Sequence, residues 1–338
     1  MRGVRETGIT AVENLLAHSR PRSASVMTGH ATRRKILFGG FCLCCLPGVI
    51  RASEAGPFAM AEIAGGIHIR RGLDEEATQA NDNAIANIGF IVGSDAVLVT
   101  DPGGSLKDGE RLRATIALIT KLPVKYVVLS HVHPDHIFGA SAFLKDAPVF
   151  VGHARLAKAL QQRGAYYREK LSALFGPEQV GTVVFPGMEI RDRAEIDLGS
   201  RIIEVTAHAS AHTTCDLSLF DNKTGTLLPA DLLFVQRMPS LDGSLRGWLK
   251  TLDELKHRAA ARAVPGHGPA AVDWPSTSAA IIRYLTVLEN DTRRAITDGR
   301  SIESVIKTAA ASERNEWKLF DEYNARNATE AYKELEWE

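Results

Sequence analysis

The chain has 338 residues, 45% of them hydrophobic and 24% charged, enough to bury one large core with appendages. Its 40 basic and 40 acidic residues cancel, which removes the electrostatic basis for nucleic-acid binding. The sequence has no internal repeat, low-complexity tract or phosphate-cradling glycine loop.

The first 55 residues stand apart. Thr32-Arg33-Arg34-Lys35 precedes an apolar stretch that ends near Ile50, and Ala52-Ser53-Glu54-Ala55 offers small residues for cleavage after Ala55. This is the three-part form of a secretory signal. The paired arginines resemble a twin-arginine signal, which exports folded proteins, so a periplasmic location is expected. The apolar stretch is about 15 residues and holds glycines and Pro47, too short for a stable membrane span. Met27 is a second candidate start, because residues 1–26 lie upstream of an otherwise complete signal. Cys42, Cys44 and Cys45 fall within the signal, leaving Cys215 as the single thiol of the mature chain, expected to be a small packed residue.

The mature chain then alternates strands and helices. Glu62 to Arg70 and Ile88 to Val99 read as the opening strands, with a Gly93-Ser94-Asp95 turn before Val97 and with Asp101 entering a glycine loop. Asp108 to Thr120 reads as a helix with Leu112, Ile116 and Ile119 apolar. Val124 to Ser130 is a β-branched run typical of a buried strand. Directly after it comes His131-Val132-His133-Pro134-Asp135-His136, four metal-capable side chains within six residues of a chain with only 11 histidines. His131 and His133 share a face while the chain stays extended; Pro134 then stops the strand, and Asp135 and His136 point in different directions. One turn can thus feed two neighbouring metals, His131 and His133 to one, Asp135 and His136 to the other. Imidazole and carboxylate donors suit zinc, manganese or iron better than copper(I).

Further on, Ser141 to Lys145 and Ala154 to Gln162 frame the strand Pro148 to Val151, and Val183 to Val205 resumes β structure. Residues 163–181 read as an insertion able to lie over a metal cleft, with Tyr166 and Tyr167 expected to pack. Three later β-type runs lead into candidate ligands: Ile202 to Thr206 before His212, Thr226 to Leu228 before Asp231, and Arg262 to Val264 before His267. His208 stands four residues before His212 as a rival candidate, His153 follows the strand Pro148 to Val151 and could sit near the metals, and His68 and His257 read as ordinary strand or surface residues. After His267, helices are expected from Asp273 (with Ile281, Tyr284, Leu285 and Leu288 on one face), from Ser301, and over Trp317 to Leu335. The alternation fits an α/β fold, an αββα sandwich of two mixed β-sheets flanked by helices. The expected organisation is an extension and signal over 1–55, a metal domain over 56–275 and a C-terminal helical extension over 276–338.

These residues resemble the metallo-β-lactamase fold superfamily of hydrolases, whose pattern is HxHxDH, a His usually followed by Ser or Thr, an Asp, and a late Gly-His. The resemblance implies that His131, His133 and His212 bind a first metal, that Asp135, His136 and His267 bind a second, and that Asp231 bridges them. Asp101 would brace the metal loop from behind. Two positions depart from the common pattern, Ala230 before the bridging Asp and Cys215 near the second His motif, where glycine is common. The segments Arg237 to Trp248, Val264 to Pro269 and Glu334 to Glu338 resemble one branch, the quinoprotein relay system zinc metallohydrolases related to SoxH.

The resemblance therefore implies two Zn2+ ions, with iron or manganese as the other ions such donors accept. A dinuclear site brings the pKa of bound water toward ~7, holding a hydroxide between the metals, while one metal polarises a substrate oxygen. Asp135 would be both ligand and catalytic proton acceptor. The expected function is a periplasmic hydrolase of a small-molecule ester, lactone, thioester or similar bond, set beside a periplasmic quinoprotein dehydrogenase system. Three alternatives stay open: a β-lactamase, for which Arg237 is the best candidate to meet the antibiotic carboxylate; a mononuclear iron persulfide dioxygenase of the same fold; and a non-catalytic metal-bound partner of a dehydrogenase.

Overall fold

Successive residues of a strand point to opposite faces, and here most central strands are apolar on both, so each sheet must be covered twice. The computed structural model describes residues 58–338; the expected signal and its three cysteines lie outside the described residues. An antiparallel meander of β1 (Ala61–Ala64), β2 (Ile67–Arg70), β3 (Ile88–Val92) and β4 (Val97–Thr100) opens the fold. There follow α1 (Leu106–Ile119), β5 (Val124–Leu129), α2 (Pro134–Ile137), β6 (Val149–His153), α3 (Leu156–Phe175), α4 (Pro177–Val180) and β7 (Met188–Ile190). These strands make a seven-stranded sheet in sequence order, parallel from β4 to β7.

The second sheet has five strands in the order β12-β11-β10-β9-β8. It is built from β8 (Arg193–Asp197), β9 (Ile202–Ala207), β10 (Leu217–Asp221), β11 (Thr226–Phe234), α5 (Leu245–Lys256) and β12 (Arg262–His267), with only β11 and β12 parallel. Helices α6 (Ala279–Thr297), α7 (Ile302–Thr308) and α8 (Phe320–Leu335) end the chain. Among the described residues no helix is long and apolar enough to cross a membrane.

Three cores follow from the alternation. Val127 and Leu129 of β5 face one layer with Val97 and Val99 of β4 and with Leu112 and Ile116 of α1, whereas Val128 and Leu98 face the other sheet. There they meet Ile203, Val205, Leu217 and Leu219 across the sandwich. The far face of the second sheet packs Leu227, Leu232 and Phe234 on Trp248, Tyr284, Leu285 and Leu288, so the C-terminal helices share a core with β11. This is the αββα sandwich of two mixed sheets that the sequence implies.

Local differences have local causes. The expected strand over 62–70 is a hairpin instead, because Gly66 adopts φ +75° and turns the chain at Gly65-Gly66. The run beginning at Ala154 does not stop at Gln162 but continues as one helix to Phe175, so much of the expected insertion is the second half of α3. The strand expected to end at Leu228 continues through Asp231 to Phe234, with an irregular register and Ala230 at φ +48°.

One buried ion pair joins the sheets. Arg201, between β8 and β9, makes a two-pronged contact with Asp221 at 2.9 and 2.9 Å. Its remaining Nη1 donates to Gly65 O and Val92 O of the first sheet, each at 2.9 Å. The two side chains are 1% and 0% exposed, so neither charge has water to fall back on. Arg201→Met is therefore expected to destabilise the fold by about 3–5 kcal/mol, the usual cost of stranding a buried charge, measured by denaturant unfolding.

Candidate metal centre

Parallel strands release their chains at one end, and here β4, β5, β11 and β12 release theirs at the same seam between the sheets. Asp101 follows β4, His131 and His133 follow β5, Asp231 lies within β11 and His267 ends β12. Pro134 starts α2 with extended backbone before it, so Asp135 and His136 enter a helical turn while His131 and His133 remain outside it. His212 comes from the β9–β10 connection.

The structure brings all seven predicted ligands together in two groups. His131, His133, His212 and Asp231 form one, and Asp135, His136 and His267 the other, the ligand-type atoms of each group lying within 4.8 Å of one another. Asp231 stands between them, its carboxylate 3.6 Å from His131 Nε2, 3.3 Å from His212 Nε2, 3.0 Å from His136 Nε2 and 3.4 Å from His267 Nε2. Asp135 Oδ2 lies 3.2 Å from His267 Nε2 and 3.6 Å from His136 Nε2. His208 is not in the cluster; its Nε2 meets Ser218 Oγ at 2.7 Å. His153 is also outside, with Nε2 on the His208 carbonyl, and Cys215 is buried in the core, where burial pushes its thiol up to about 12.

The outward ring nitrogens of His131, His133, His136 and His267 are occupied, whereas His212 Nδ1 is buried without a partner. His136 Nδ1 meets Asp101 Oδ2 at 2.8 Å, and His131 Nδ1 meets Ser130 Oγ at 2.9 Å. Asp101 also accepts from Ser130 N and Ser130 Oγ, each at 2.8 Å, so one carboxylate braces both histidine rings. His267 Nδ1 meets Ile85 O at 3.0 Å, with Phe234 stacked on the ring. His133 Nε2 meets Asp242 Oδ2 at 3.1 Å, leaving Nδ1 directed at His212 Nε2, 2.9 Å away.

Inward, the pattern reverses. His131 Nε2, His136 Nε2 and Asp231 Oδ1 are buried with no hydrogen-bond partner. Buried polar atoms normally have one, and imidazoles whose outer nitrogen is tied to a carboxylate, hydroxyl or carbonyl are held in the tautomer that ligates. The donor set therefore fits divalent ions of the zinc type.

Burial holds His131 well below its ordinary range and lowers His212 to about 3. For His136 and His267 burial works in the same direction but is outweighed by Asp231, with Asp135 adding to it, and both are raised. Asp135 and Asp231 are lowered against the effect of burial, chiefly by His136 and His267.

A cavity of about 220 Å³ opens onto His133, Asp135, Asp231 and His267. Its walls mix apolar Ile85, Leu171, Phe234 and Met238 with polar Arg237, Tyr167, Tyr323 and Arg326. Tyr167 both packs on the core and lines this cavity, while Tyr166 is exposed. Arg237 is engaged with the Glu75 carbonyl and with Tyr323 Oη at 2.7 Å. A larger groove of about 470 Å³ between β9, β10 and α5 contains none of the cluster residues.

Asp242 was not among the residues singled out from the sequence. It sits in the Arg237 to Trp248 segment, but Asp-Gly in a loop reads as an ordinary turn, and its partner His133 is 109 positions away. Arg326 and Tyr323 were missed for a similar reason, since α8 reads as a plain amphipathic helix.

The geometry agrees with the comparisons. The sequence profile of the Metallo-beta-lactamase superfamily matches residues 82–267, more than half of the chain. The chain belongs to this superfamily. Among curated proteins it is similar to the linear primary-alkylsulfatase of Pseudomonas sp. (strain ATCC 19151), 23% identical over 216 residues, covering 53% of this chain and 40% of that enzyme. Among solved structures, the metallo-beta-lactamase from Pontibacter korlensis superposes with a TM-score of 0.55 at 19% identity, covering 68% of this chain and 99% of its own. The metallo-beta-lactamase IND-7 does so at 0.55 and 18%, covering 69% and 100%. These structures share the fold.

Gly266 offers a direct test of the cluster. A Cβ there would lie 1.9 Å from Asp231 Oδ1 and 2.8 Å from the Asp231 nitrogen, so the side chain cannot be accommodated without moving Asp231. Gly266→Ala is expected to weaken divalent-metal binding by ~10-fold or more, as displacing a donor does, measured with Zn2+ as the probe ion in competition with a chromophoric chelator. Wild-type affinity in this variant would show that Asp231 is not needed where it stands.

Proposed function

We propose that the chain is a dinuclear metal-dependent hydrolase, with His131, His133 and His212 holding one ion, Asp135, His136 and His267 the other, and Asp231 shared between them. The observation that carries this reading is the set of buried, inward-facing atoms without partners, His131 Nε2, His136 Nε2 and Asp231 Oδ1, backed by outward nitrogens of His131, His136 and His267 that are already engaged. Two divalent ions supply Lewis acidity, lowering the pKa of water toward ~7 and polarising a substrate oxygen. Zinc is the expected ion, with iron or manganese as alternatives the donors accept.

The rest falls to the chain's own residues. Asp231 and the five imidazoles set the positions of the ions. Asp135, at the cavity floor, accepts a proton from the attacking water and returns it to the leaving group. Ile85, Leu171, Phe234 and Met238 exclude water around the scissile bond, while Tyr167 and Arg326 offer donors to the rest of the substrate. A cavity of about 220 Å³ suits a small molecule carrying an ester, lactone, thioester or similar bond. The alkylsulfatase relative adds sulfate esters to the bonds worth testing.

The chain is further read as an exported, periplasmic protein of the twin-arginine route, on Arg33-Arg34 and the apolar stretch that follows. The branch resemblance supports a setting beside a periplasmic quinoprotein dehydrogenase system.

Elemental analysis of purified residues 56–338, paired with turnover of ester, lactone, thioester, sulfate-ester and β-lactam substrates with and without chelator, tests the reading. The expected result is about two zinc ions per chain, the stoichiometry of a two-metal site, and chelator-sensitive hydrolysis. One iron per chain would favour the persulfide dioxygenase, rapid cephalosporin turnover the β-lactamase, and metal without any turnover the partner role. A metal-free chain with full activity would refute the proposal outright.

A further inference from the structure

Asp242 is the meeting point of four separate parts of the chain. Its Oδ2 accepts from His133 Nε2 and from Arg163 of α3, and its Oδ1 accepts from Arg326 Nη2 of α8 at 2.9 Å. Its backbone nitrogen donates to the His212 carbonyl at 2.9 Å, and Ser244 N donates to Ala211 O at 2.8 Å, so the same turn is stitched to the loop that carries His212. Gly243 lets the two loops approach this closely, since a Cβ there would lie 2.4 Å from Ala211 O and 2.5 Å from Thr213 O.

The turn is itself gripped by α8. Asn327 accepts from Leu241 N at 2.8 Å and donates to Pro239 O at 2.7 Å. Glu334 accepts from Ser244 Oγ at 2.7 Å and from Leu245 N at 2.6 Å, capping the start of α5. Tyr284 of α6 closes the network, donating to Asn324 at 3.0 Å and accepting from Asn327 at 2.9 Å. The segment between β11 and α5 is therefore held by α8, far from it in sequence, as well as by the loop that carries His212.

A carboxylate on the outer nitrogen of a ligating imidazole sets its tautomer, its orientation and its basicity. From these contacts we propose that Asp242 is a positioning residue for the His131, His133, His212 and Asp231 metal position, and that α8 holds it in place through Arg326 and Asn327. The C-terminal helix thereby acts on the metal centre without supplying a ligand. Asp242 fixes His133 through its side chain and His212 through its backbone, and Arg163 brings α3, with its cavity-lining Tyr167, to the same carboxylate. This inference rests on the two-metal reading above.

The test is a stepwise zinc titration of the metal-free protein against a chromophoric chelator, with thermal unfolding of the metal-free form recorded for each variant. Asp242→Ala is expected to weaken one of the two zinc steps by ~10–100-fold while leaving the other near wild type. Asp242→Asn, which keeps an acceptor oxygen for His133 Nε2, is expected to recover part of the loss. Arg326→Gln, at a half-exposed side chain, should give a smaller loss of the same step, and it carries the test if Asp242→Ala fails to fold. Two unchanged zinc steps in Asp242→Ala, or in Arg326→Gln where that variant stands in, would overturn the role of Asp242. So would lowered metal-free stability with unchanged zinc affinity, since that is what a purely structural role produces. A wild-type chain that takes up no zinc would instead overturn the metal reading, and this inference with it.

Discussion

A carboxylate buried at the seam of two sheets, with four imidazole nitrogens between 3.0 and 3.6 Å from it, is the constraint around which the molecule is arranged. Removing a carboxylate from water costs several kcal/mol, and the neighbouring rings offset that only if they carry protons or share a cation with it. The mutual attraction of carboxylates and rings opposes burial, raising His136 and His267 while lowering Asp135 and Asp231. Cations that replaced those protons would satisfy the same carboxylates and, in addition, the nitrogens left without partners. Metal and proton thus compete for one set of atoms, the usual coupling at sites of this kind.

Such a site can be built only where the ends of both sheets are held in register. Leu217 N of the second sheet donates to Ser130 O of the first at 2.8 Å, and Asn87 reaches across with its backbone nitrogen on Gly266 O and its side chain on Pro265 O. The two backbone bonds each lie next to a predicted ligand, Ser130 before His131 and Gly266 before His267. The crossover connections make this arrangement available. A parallel strand pair cannot be closed by a tight turn, so the chain leaves each strand end freely and can place a side chain there before the covering helix begins.

The first half of the site was legible because its chemistry is local. Three imidazoles and a carboxylate crowded behind a β-branched strand point to metal ligation, and Pro134 marks where the extended run becomes a helical turn. His212 could be ranked above His208 through the superfamily resemblance, which favours a Thr after the ligand, and His267 stood out between two glycines. Asp101 was legible only through the superfamily resemblance, although its contacts with Ser130 and His136 have a plain physical logic. What could not be read was anything that depends on distant segments meeting. The exchange between Asp242 and His133, the approach of Arg326, and the placement of Tyr167 rather than Tyr166 at the cavity each require the packed helices α3 and α8, and no periodicity encodes such meetings. Strand limits failed for a related reason: β11 continues past Leu228 because β12 pairs with it there, overriding the turn that Pro229 and Ala230 suggest.

Ala230 shows how closely the site and the fold are bound together. Its φ of +48° lies in the left-handed region, where a residue with a Cβ is disfavoured by roughly 1–2 kcal/mol and glycine is not. That geometry explains why glycine is common there in the superfamily pattern, and the alanine is a tolerated strain rather than a change of architecture. The strain persists because its surroundings fix it: Ala230 pairs with Pro265 across the parallel ladder, and Gly266 packs directly against the Asp231 carboxylate. Relaxing Ala230 would turn Asp231 away from the four imidazoles, at a cost in buried unpaired charge larger than the backbone strain removed. The carboxylate between the two donor groups thus decides a backbone conformation that local preference alone would reject.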